Sequence, residues 1–112
     1  MAKKVENKKI AIAIETFVDG AIKEIELQTT YFELIYGACK RPSDPQSGFT
    51  WDDIEKINRV KDYYDAAKEK DEVSVEDADI NFIVSRVKSN KWNSIDKKLL
   101  DFKKYIESLD KN

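Results

Sequence analysis

The chain has 112 residues, enough for one domain with a modest core that needs neither disulfide nor metal. Charged residues make up 38% and hydrophobic ones 41%, which excludes a disordered chain; a net charge of −2 gives no global field toward nucleic acid or membrane. A single cysteine, Cys39, excludes an intrachain disulfide, and the absence of histidine removes the commonest general base and zinc ligand.

Residues 1–9, MAKKVENKK, read as a disordered basic tail, with residues 10–112 as one globular domain. No signal peptide is expected, because the apolar run that follows is short and broken by Glu15. No stretch approaches the ~20 apolar residues of a membrane helix. In residues 10–27, Ile10, Ile12 and Ile14 alternate with alanine, and Asp19-Gly20 is a two-residue hairpin turn signal. Ile10, Ile14, Phe17, Ala21 and Ile25 also fit a helix, but glycine in mid-helix costs about 1 kcal/mol relative to alanine. The pattern therefore predicts a β-hairpin, which suits β-branched isoleucine.

Thr30 with Glu33 forms a capping box for a helix to about Cys39. That helix is apolar on nearly every side, which makes it central and makes Cys39 a core filler. Pro42, Pro45 and Gly48 mark residues 40–49 as a loop. Thr50 caps a third segment, with Trp51, Ile54, Ile57, Val60, Tyr64 and Ala67 as its stripe to about Lys68. A charged turn, EKDE, leads to Val73–Phe102, which reads as a helical hairpin. Ser74 is its expected first N-cap and Asn90 a left-handed stop; Asn93 or Ser94 caps the second helix. Trp92, Ile95, Leu99, Phe102, Ile106 and Leu109 make its apolar stripe. An intermolecular coiled coil is the competing reading of that stripe, which falls short of the usual run of heptads. The predicted fold is mainly α (α+β), an N-terminal β-hairpin packed on a bundle of about four short helices.

Chemical motifs are scarce. Asp77-x-Asp79-x-Asn81 copies the start of a calcium loop, but Phe82 and Lys88 stand where glycine and glutamate are required. Asp52 and Asp53 are adjacent and point to different sides of a helix, whereas a catalytic carboxylate pair needs a convergence that sequence does not show. Cys39 has no histidine to activate it. No phosphate loop, zinc spacing or nucleophile elbow occurs, so neither enzyme activity nor a cofactor or metal is expected. Protein-binding candidates are Phe49 and Trp51 beside the loop and the acidic group Glu76, Asp77 and Asp79. A second reading gives a nucleic-acid backbone to the basic run Arg86, Lys88, Lys91, Lys97, Lys98 and Lys104. Self-association through surplus aromatic surface is a third.

The order Thr29-Thr30-Tyr31-Phe32, Pro42-Ser43-Asp44-Pro45, Gly48-Phe49-Thr50, Val75-Glu76-Asp77-Ala78-Asp79, Trp92 and Leu99-Leu100-Asp101-Phe102 carries a resemblance. It resembles a loose class of small accessory proteins of tailed bacteriophages and prophages, over most of residues 25–109. The resemblance implies a protein of the bacterial host cytoplasm that binds a viral or host protein as regulator, inhibitor or assembly factor; the lack of a long apolar stretch implies no membrane partner.

Overall fold

The Asp19-Gly20 signal is realised in the backbone. Both residues have positive φ, 52° and 78°, the geometry of the two-residue turn whose twist matches flanking strands. The turn joins β2 (Lys9–Val18) to β3 (Ala21–Thr30) in an antiparallel pair running from Val18↔Ala21 to Lys9↔Thr30. The computed structural model describes residues 2–42, 46–92 and 94–110. Ser43, Asp44 and Pro45 of the expected loop, and Asn93 as an expected cap, lie outside them.

β1 (Ala2–Glu6) precedes the hairpin, and α1 (Tyr31–Cys39) and α2 (Trp51–Ala67) follow it. Then come β4 (Glu72–Glu76), α3 (Asp77–Ser89) and α4 (Lys97–Leu109). Thr30 and Thr50 cap α1 and α2 by accepting from the N–H groups of Glu33 and Asp53. Glu33 does not complete a capping box; its carboxylate accepts instead from the Thr29 hydroxyl.

The expectation of a mainly α fold is corrected. Half of the described residues are helical and 29% are strand, so the class is α+β, with two separate two-stranded sheets. The second sheet is β1 paired with β4, and it overturns the disordered tail expected at residues 1–9. Val5 sits opposite Val73 and is 1% exposed, while Lys4 and Glu72 on the same sheet form an ion pair in solvent. β1 is also held from α4: the Glu6 N–H donates to the Tyr105 hydroxyl at 2.8 Å. Ser74 is therefore a strand residue. Its spacing to Asp77 imitates a cap, but Val73 and Val75 alternate inward at period 2, and α3 starts only at Asp77. Asn90 ends α3 with an extended rather than left-handed backbone.

The core lies between α1, α2, α3, α4 and the small sheet. Phe32, Ile35, Val60, Val75, Ile80, Ile83, Phe102 and Ile106 are its fully buried centre. Tyr31 meets Phe102 edge-on at 5.0 Å, and Trp92 meets Phe102 at 5.9 Å, so Trp92 is a core-edge plug as its pattern suggests. α1 is central, as its all-round apolar character predicts, and Cys39 is fully buried. Burial pushes its thiol up to about 12, which leaves no thiolate at neutral pH.

Asn7 stitches the layers together. Its side chain donates to the Ala67 carbonyl and accepts from the Phe32 N–H, and its own N–H donates to Asp71. The hairpin meets this body at α1 and, along the lower half of β2, at residues 94–98 leading into α4. A hairpin packed as a layer on a helical bundle, as expected from sequence, is not what the chain forms.

Candidate interaction surface

The antiparallel register decides which backbone groups of the hairpin are free. In such a pair, alternate residues turn N–H and C=O toward the partner, and the residues between turn them away. Ala13 turns away. Its N–H donates to Asp96 Oδ2 at 2.8 Å, and its carbonyl accepts from the Ser94 hydroxyl. Two residues along, the Ala11 carbonyl accepts from Lys98 Nζ at 2.7 Å. Ser94, Asp96 and Lys98 thus occupy the outer edge of β2 with side chains spaced like a strand.

Asp96 carries the junction. Its Oδ1 accepts from the Lys98 N–H and caps α4, while its Oδ2 holds β2. Hydrogen bonds from the Lys98 and Ala13 N–H groups hold its carboxyl below the ordinary aspartate range. This cap also shortens α4 relative to the sequence stripe. Trp92 and Ile95 precede the helix, and Ile95 stands fully in solvent.

The outer edge of β3 is different. Ala13 pairs with Glu26 and Ala11 with Gln28, so Ile22, Glu24, Glu26 and Gln28 turn their backbone groups outward. Among the described residues, nothing bonds to those groups. Residues 21–28 of β3 are all exposed. Large apolar side chains accompany this open edge: Phe17 is 73% exposed, Ile22 62%, and Ile25 and Leu27 42% each. On one face of the hairpin Ile14, Ile25 and Leu27 follow the buried Ile12; on the other, Glu15 lies directly opposite Glu24, with Glu26 next in the row. That acidic face borders a cleft of about 660 Å³ whose other wall includes Trp92, Ile95 and Asp96.

The residues singled out from sequence fall elsewhere. Trp51 is 83% exposed at the start of α2, and Phe49 is exposed just before it, so both are open to a partner. Glu76 and Asp77 are exposed, but Asp79 is buried. Asp79 accepts from Arg59 Nε at 2.8 Å and from the Tyr63 hydroxyl at 2.6 Å, which makes it a tie between α2 and α3. Burial, then that hydrogen bond, raises the Tyr63 phenol and keeps it a donor.

The basic run is likewise divided. Arg86 is buried, paired with Asp53 at 3.2 Å, donating to the Arg41 carbonyl and stacked on Phe82. It is structural and unavailable to a phosphate. Lys98 is bound to β2, leaving Lys88, Lys91, Lys97 and Lys104 exposed.

The open edge was missed because alternation reveals a strand's two faces but not whether a neighbour covers its edge. The run Glu24-Ile25-Glu26-Leu27 was the one available signal. Among the described residues no group of His, Cys, Asp and Glu is placed to hold a metal, and no helix is long and apolar enough to cross a membrane. No family model, curated protein or solved structure matches the chain.

Proposed function

We propose that this protein is a protein-interaction module that docks a partner by strand addition to the β2–β3 hairpin. The observation that carries the reading is the free edge of β3, exposed over residues 21–28 and accompanied by exposed Phe17, Ile22, Ile25 and Leu27. An open edge supplies main-chain hydrogen bonds for affinity, and the alternating side chains beside it supply specificity. The asymmetry of the hairpin supports this. One edge is covered at Ala11 and Ala13 by Ser94, Asp96 and Lys98, and among the described residues nothing covers the other. The resemblance to phage accessory proteins makes a viral or bacterial host protein the expected partner, with Phe49 and Trp51 as additional contacts.

Site-specific photo-crosslinking in the native cell tests the reading. A crosslinker at Glu24 should capture a protein partner that one at Lys61, exposed on α2 well away from Phe49 and Trp51, does not. The product should fall at least severalfold with Leu27→Pro, which distorts the strand. Equal capture from both positions, or capture indifferent to Leu27→Pro, would sink the proposal.

A further inference from the structure

The edge also carries information about what pairs with it. Three carboxylates, Glu15, Glu24 and Glu26, lie on one face of the hairpin, and the first two stand directly opposite each other. Like charges in that position repel. Among the described residues none of the three has an ion-pair partner; Glu26 accepts only a hydrogen bond from Gln28. The other face, beside the same edge, is apolar at Ile25 and Leu27.

A second copy of this chain is a poor occupant. Antiparallel self-pairing must bring outward-turned residues opposite one another. The register centred on Ile25 sets Glu24 of each copy against Glu26 of the other. A shift by one pairing step either way sets Glu24 on Glu24 or Glu26 on Glu26. Each of these central registers stacks like charge on a face that already carries Glu15.

Resting on the strand-addition reading, we infer that the β3 edge takes an extended peptide segment of alternating basic and apolar residues. Its basic side chains lie beside Glu24 and Glu26 on the acidic face, and its apolar ones lie beside Ile25 and Leu27 on the other. The alternation is what strand geometry demands, since successive side chains point to opposite faces. The attraction is on the surface, so it weakens as salt rises.

The test uses the full chain and three short capped peptides: lysine alternating with valine, glutamate alternating with valine, and the lysines and valines grouped in two blocks. Binding is followed by amide NMR and hydrogen exchange. The alternating lysine peptide should protect the amides of Ile22, Glu24, Glu26 and Gln28. It should bind on the order of tenfold more tightly than either control, the scale of a few cross-strand charge pairs. In the double variant Glu24→Lys/Glu26→Lys, both sites being exposed, the preference should reverse toward the glutamate peptide.

Equal binding of the lysine and glutamate peptides, each with alternate-residue protection, overturns the charge preference and leaves strand addition standing. Equal binding of the block peptide overturns the alternation. Binding without protection of those four amides overturns strand addition itself. No binding of the lysine peptide overturns this inference, while crosslinking from Glu24 judges the docking edge independently.

Discussion

One carboxylate joins two elements at Asp96: it caps α4 and holds the β2 edge, and both bonds favour its charged form. Its folded pKa is therefore lowered, so its contribution to stability is complete above the unfolded value near ~3.9 and is lost as pH falls through the folded value. Asp96→Ala should destabilise the protein at pH 7, and the gap between the two proteins' melting temperatures should narrow as pH drops below that unfolded value. A gap that stays constant into strong acid would show that the charge plays no part. In the sequence Asp96 is an acid standing beside the lysines of the basic run. Its second bond reaches back 83 residues to Ala13, a distance no local pattern encodes. Arg86 teaches the converse. It looked like a phosphate contact because it shares a run with lysines, but its guanidinium is enclosed by Asp53, Arg41 and Phe82 from other segments.

Among the elements, β1 is held by partners far away in sequence, β4 and the Tyr105 hydroxyl of α4. Five residues with one buried valine carry too little periodicity to announce a strand, and β4, its partner, lies about seventy residues away. Val5→Ala should cost about 2 kcal/mol in urea unfolding, the transfer and cavity terms of a buried side chain. Ile22→Ser on the hairpin arm should change stability by less than ~0.5 kcal/mol, because that side chain is already in solvent. Equal effects at the two sites would mean that the small sheet is not part of the folded body. The hairpin itself was readable, since its turn residues and alternating isoleucines act within a few positions of each other.

For the whole molecule, the core behaves as one unit centred on Phe102, which meets both Tyr31 and Trp92. Phe102→Ala should cost about 3–5 kcal/mol, a large part of a small domain's stability, with one cooperative transition by circular dichroism and tryptophan fluorescence. The buried contacts that make this core were largely present in the helical spacings of α1 and α4, and the caps Thr30 and Thr50 were visible beside them.

By itself, then, the order of amino acids determined the Asp19-Gly20 turn, the Thr30 and Thr50 caps and most helices, because those depend on neighbours within a few residues. Only the tertiary structure decided that β1 joins β4, that Asp79 and Arg86 are enclosed, and that β2 is covered at Ala11 and Ala13 while, among the described residues, nothing covers the β3 edge. Each of those depends on which distant groups come close enough to exclude water or complete a hydrogen bond. A single strand's pattern looks the same with or without them.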